Sequence, residues 1–151
     1  MSAADEPRAA ISRAVIDQML ALDAFTRWLG AEVVEVDVGR CTMRMIVRAE
    51  MVNGFGVAHG GIAYSFADSA MAFACNGSGR VTVALDTSMS YPAAVMVGDQ
   101  LVAVAEEESA TSRLAFYKVV VRKQDDTIVA LFRGTVYRTQ RMHDLSSSDV
   151  K

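Results

Sequence analysis

The segment Asn53-Gly54-Phe55-Gly56-Val57-Ala58-His59-Gly60-Gly61 runs directly into 62–76, an apolar stretch whose one charge is Asp68. No cation adjoins it in the sequence. A lone carboxylate in an apolar helix is costly to bury, and such groups gather at functional sites. Partial desolvation raises its pKa toward the range of a general base, and a nucleophile is the other active role. The bland reading is a carboxylate bonded in the core or placed at a subunit interface. Gly60 and Gly61 open the helix, where backbone amides lack intrahelical partners and carry the positive end of the helix dipole. Glycine lets a carbonyl oxygen approach those amides, as an oxyanion hole requires; the plain alternative is a tight turn. Asp68 follows Gly60 by about two helical turns. His59 fits an orienting role better than direct proton transfer. Asn53 either shapes the turn or holds a water or a substrate carbonyl.

Sharper motifs are missing. Gly54-Phe55-Gly56-Val57-Ala58-His59 departs from a dinucleotide fingerprint at its last position and follows no parallel strand unit. There is no phosphate-binding loop and no serine nucleophile elbow; Ser65 and Ser69 lie near Asp68 without a second histidine to activate them. No spacing of histidine and cysteine suggests a metal site, and no metal or redox cofactor is implied.

The elements that position these residues follow from periodicity. Ile11, Val15, Met19 and Leu22 predict a helix over 9–24, after a disordered lead-in at 1–8. Phe25, Trp28 and Leu29 come next, and Gly30 closes the segment. Alternation over 33–38 and 41–48 about Gly39-Arg40 predicts a hairpin. The apolar helix ends at Asn76-Gly77-Ser78-Gly79, residues tolerant of left-handed geometry. Four strands follow, at 81–91, 100–107, 113–123 and 127–138, with a tight turn at 124–126. In the first, Val81, Val83, Leu85, Thr87 and Met89 share one face, and Thr82, Ala84, Asp86, Ser88 and Ser90 the other. The tail 139–151 reads as flexible. Without strand–helix–strand alternation a parallel sheet is excluded. The expected class is α+β, an antiparallel sheet curled around one helix that is apolar on nearly every face.

The 151 residues suit one domain, placed at 9–138. Hydrophobic residues make up 52% and charged ones 22%, an ordinary globular balance. A net charge of -3 with no basic block excludes a nucleic-acid footprint. The apolar helix is too polar for a membrane span, carrying Ser65, Asp68 and Ser69. Cys41 and Cys75 form no paired motif and read as buried free thiols. With no signal-peptide pattern at the start, a cytoplasmic protein is expected.

Asn53, Gly56, His59-Gly60-Gly61, Phe66-Ala67-Asp68, Ala72 and Ala74-Cys75-Asn76 together resemble the hotdog-fold acyl-CoA thioesterases. Within them the pattern is most similar to the subgroup of bacterial phenylacetate degradation, as is Ala130-Leu131-Phe132-Arg133-Gly134. The resemblance implies a hydrolase that splits acyl-CoA, including arylacetyl-CoA such as phenylacetyl-CoA, into free acid and coenzyme A. It implies a homodimer, paired into a homotetramer, with active sites at the dimer interface. Gly60 then polarises the thioester carbonyl through its amide, and Asp68 of the facing subunit activates water or attacks directly. Asn53 and His59 complete the catalytic set. Substrate contacts map to Gly61, Ala84, Tyr91, Ser109, Ser112, Arg113 and Arg138. Relatives often carry Arg where Tyr91 stands, some carry Ser at Ala84, and the connection after Pro92 is longer than usual. Two other readings remain: a hotdog dehydratase or hydratase using His59 with Asp68, and a non-catalytic acyl-CoA binder.

Overall fold

The computed structural model describes residues 5–146. The chain forms helix α1 (Asp5–Leu22), a short helix α2 (Ala24–Leu29), strands β1 (Glu32–Asp37) and β2 (Arg40–Ile46), and a 3-10 turn at Ala49–Met51. The long helix α3 (Gly60–Asn76) follows, then β3 (Arg80–Ser90), β4 (Gln100–Ala110), β5 (Leu114–Lys123) and β6 (Ile128–Met142). The six strands make one sheet in the order β1-β2-β4-β5-β6-β3. Every pairing is antiparallel. This is the α+β architecture the patterning predicts.

The sheet curls because it must cover α3, which has almost no polar face. Phe66, Ala67, Ala70, Met71, Phe73 and Ala74 are all buried, and α3 touches all six strands. Gly134 on β6 shows how close the fit is, since a Cβ there would collide with the Met71 sulfur. Helix α1 closes the open side by a different stripe from the expected one. Val15 and Ile16 are fully buried, whereas Ile11 and Leu22 are exposed. The reason is a long-range bond: Ser12 is pulled inward, its Oγ donating to the Gly77 carbonyl at 2.6 Å.

The domain edges also need correction. Residues 5–8, expected in a disordered lead-in, belong to α1, and 139–142, expected in a flexible tail, belong to β6. Pairing of Arg80 with Met142, and of the His143 ring with Asn76, carries order past Arg138. The remaining lead-in and tail, 1–4 and 147–151, lie outside the described residues.

Strand β3 breaks the alternation read from sequence. Its register against β6 shifts between Ala84 and Asp86, a bulge that swaps the faces of everything after it. Val83, before the bulge, and Leu85, at it, are exposed. Thr87 and Met89 face inward, opposite Gly134 and Phe132. Ala84 pairs with the fully buried Val136 and so looks toward the concave side.

Candidate active site

The loop before α3 is fixed by backbone bonds rather than packing. Asn53 Oδ1 accepts from Phe55 N at 2.9 Å, and its amide donates to Val57 O at 2.8 Å. Asn53 thus shapes the turn, leaving its side-chain amide group as a donor without a partner among the described residues. His59 N donates to Met51 O at 2.8 Å, and Ala58 N to Val95 O at 2.7 Å.

His59 caps the helix. Its Nδ1 accepts from Gly61 N at 2.9 Å, a bond that requires the ring nitrogen to be unprotonated and places the hydrogen on Nε2. With Gly61 N taken, and Ile62 N bonded to His59 O, the free first-turn amide is Gly60 N. Gly60 borders a cleft of about 220 Å³ lined chiefly by Val57, Ala58, Ala63, Tyr91, Val95 and Val129. Tyr91 leans over the turn and donates its hydroxyl to Gly60 O at 3.2 Å. A Cβ at Gly60 would meet that ring at 3.3 Å, so the glycine keeps both the ring and the amide in place.

Further along α3 the surroundings change from face to face. On one flank Tyr64 hydrogen-bonds Thr87 of β3. On the other, Ser69 bonds Thr26 of α2 at 2.8 Å. Between them Gly61, Ser65, Asp68 and Ala72 are only half-buried, spaced as one helical stripe. Asp68 has no hydrogen bond and no ion pair among the described residues. Burial alone pushes its pKa above the ordinary carboxylate value, because the charged form loses hydration with nothing to replace it.

The other predicted contacts sit elsewhere. Ser109, Ser112 and Arg113 lie at or beside the β4–β5 turn, with Arg138 alongside, Arg138 N donating to Arg113 O at 2.7 Å. The Arg138 guanidinium donates to Glu107 Oε2 at 2.6 Å, and Tyr117 shares that oxygen at 2.8 Å. Arg113 has no acidic partner among the described residues. Thr82, at the start of β3, is the partner of Arg138, whereas Tyr91 follows the end of β3. An 11-residue strand separates the two groups by roughly 30 Å.

Comparison with known proteins decides the family. The model of the thioesterase superfamily matches residues 55–130. The acyl-coenzyme A thioesterase PaaI of Escherichia coli is 34% identical over 116 residues, 77% of this chain and 83% of that one. The chain belongs to the thioesterase superfamily. A putative esterase of Archaeoglobus fulgidus is 36% identical over 82% of this chain and 80% of that protein. The solved structure of E. coli PaaI superposes with a TM-score of 0.86, covering 89% of this chain and 97% of that one. The sheet wrapped on α3 is thus the hotdog fold, and the protein is a thioesterase.

In this thioesterase chain, the fold brings His59, Gly60 and Tyr91 together at one cleft, with Asn53 shaping the loop before it. Asp68 and Gly61 share the half-buried stripe, and Ala84 faces the concave side from β3. Ser109, Ser112, Arg113 and Arg138 stand at the far end. Sequence reasoning missed Arg80, whose guanidinium holds the carbonyls of Ser112, Arg138 and Thr139. It also missed Tyr64. Its place one turn before Asp68 was the available signal.

Proposed function

We propose that this thioesterase hydrolyses acyl-CoA thioesters, with Asp68 as the base or nucleophile and the Gly60 amide as oxyanion donor. The observation that carries the reading is the unpartnered, half-buried carboxylate of Asp68 on the same helix that presents a free amide at its start. The two are about 12 Å apart along α3, too far to act on one carbonyl within a subunit. A two-fold dimer removes the difficulty. β3 is an edge strand with an unpaired side, and antiparallel pairing with a second copy sets each strand's end beside the partner's start. One subunit's Asp68 then meets the partner's Gly60, and the far-end cluster around Arg113 and Arg138 meets the partner's cleft. The exposed Val83, Leu85, Phe116 and Tyr137 on the outer sheet face support pairing of dimers into a tetramer.

In this arrangement the thioester carbonyl lies on the Gly60 amide, which stabilises the oxyanion of the tetrahedral intermediate. His59 fixes the turn as cap and offers its Nε2 hydrogen to the same region. The raised pKa makes Asp68 a better proton acceptor than an ordinary carboxylate. Arg113, free of an acid, takes a coenzyme A phosphate, while Arg138 is already neutralised by Glu107. Ser109 and Ser112 line that end, and Gly61, Ala84 and Tyr91 border the acyl chain. The cleft is apolar and exceeds the roughly 150 Å³ that holds a benzene ring. That size supports arylacetyl groups such as phenylacetyl, or medium alkyl chains. Two buried, unbridged cysteines suit a reducing, cytoplasmic setting.

Thiol release is measured over aryl and alkyl acyl-CoAs, with the Asp68→Asn variant alongside. Wild-type release that drops about a hundredfold or more in the variant is expected for loss of the base. Unchanged turnover in the variant refutes the role of Asp68. Tight binding of acyl-CoA without thiol release, or water elimination from 3-hydroxyacyl-CoA, refutes hydrolysis.

A further inference from the structure

We propose that Ser65 holds the attacking water against Asp68, a second hydrogen-bonding group in the hydrolytic step; this rests on Asp68 acting as proposed above. Ser65 stands three residues before Asp68, and both are half-buried on the open stripe of α3. Side chains at that spacing lie about 5–6 Å apart at Cβ. Because helical side chains tilt toward the N-terminus, the Asp68 carboxylate leans over the turn that carries Ser65. A mid-helix serine commonly bonds back to the carbonyl one turn earlier. Ser65 makes no such bond, and no other, among the described residues. Neighbouring hydroxyls are occupied: Ser69 with Thr26, and Tyr64 with Thr87. Asp68 and Ser65 are not bonded to each other either, and their spacing admits one water between them.

The step balances with these groups. The water oxygen attacks the thioester carbon while one of its protons passes to Asp68. Its other O–H donates to Ser65 Oγ, which directs the attacking lone pair. The oxyanion on the Gly60 amide collapses, the C–S bond breaks, and the thiolate takes the proton from Asp68. Free acid and free thiol result.

The test is steady-state kinetics of Ser65→Ala, Ser65→Thr, Asp68→Asn and the Ser65→Ala/Asp68→Asn double variant, with melting curves for each. Ser65→Ala lowers kcat about tenfold, the loss of one hydrogen bond to the reacting water, with KM and Tm unchanged. Ser65→Thr restores most of the rate. In the Asp68→Asn background Ser65→Ala causes no further loss, since the two act on one water. Wild-type kcat in Ser65→Ala overturns the proposal, as does a loss that adds in full to that of Asp68→Asn. So does transfer of ¹⁸O from solvent into the Asp68 carboxylate in a single turnover. Full turnover by Asp68→Asn would instead remove the reading on which the proposal rests.

Discussion

The two ends of α3 treat their polar groups in opposite ways. At the C-terminal end Asn76 is 3% exposed, and its side chain makes a complete set of bonds. Its amide group donates to Ala72 O at 2.9 Å and Thr82 O at 3.0 Å. Its oxygen accepts from Thr82 N at 3.0 Å and pairs with the His143 ring at 2.7 Å. Ser12 closes the same end by bonding Gly77 O. Over the first half of the helix the Gly60 amide, the Ser65 hydroxyl and the Asp68 carboxylate have no partner among the described residues. Native proteins satisfy buried polar groups almost everywhere. Where satisfaction is withheld on an otherwise well-packed helix, the groups are available to a ligand.

Asp68→Asn tests that contrast most severely. It lowers kcat about a hundredfold or more, about 2.7 kcal/mol of transition-state stabilisation, yet it raises Tm at neutral pH. The sign follows from burial. The folded-state pKa of Asp68 is raised, so its stabilising contribution is full at low pH and fades as pH climbs through that raised value. An asparagine never ionises and escapes the penalty. Thermal melts of both proteins at pH 5 and pH 8 check this, the gap widening at pH 8. Activity runs the other way. The acid limb of the kcat/KM profile sits above the ordinary carboxylate range, and its absence from that region shows that another group sets the rate.

Asn76→Ala strikes the satisfied end. It strands Thr82 N and O in the interior, and unfolding by urea registers a loss of about 2 kcal/mol. The kcat per folded molecule holds, because none of the partners of Asn76 belongs to the proposed catalytic set. His59→Ala removes the cap and costs about 1 kcal/mol, together with a fall in kcat. His59→Asn, a good capping residue, recovers the stability without recovering the rate if the Nε2 hydrogen contributes. Tyr91→Phe is mildest. It deletes one exposed bond to Gly60 O, worth about 0.5 kcal/mol, and kcat for aryl and alkyl substrates shows whether the ring or the hydroxyl matters.

Much of this contrast is legible in the amino-acid sequence. The apolar helix and the lone acid follow from local chemistry, and so do the hairpin and the four later strands within a few residues. What escapes is set by long-range partners. Nothing in Ala84, Leu85 and Asp86 announces a bulge that moves Thr87 and Met89 to the face opposite Val83. The stripe of α1 departs from its apolar periodicity because Ser12 bonds a carbonyl 65 residues away. His143 reads as a tail residue because Asn76, its mate, is equally remote in sequence. The grouping of Arg113 and Arg138 at the opposite end of β3 from Tyr91 is likewise a matter of register, which alternation alone does not number.

The open side of β3 carries a second consequence. A strand of 11 residues, paired with β6 on one side only, is a template for strand addition. Natural edges are guarded by proline, lysine, other charges, bulges or brevity; Arg80–Ser90 has no proline or lysine, and its guards are the bulge at 84–86 and the exposed Asp86. The dimer proposed above would cover that edge, so self-association and protection from aggregation would be coupled.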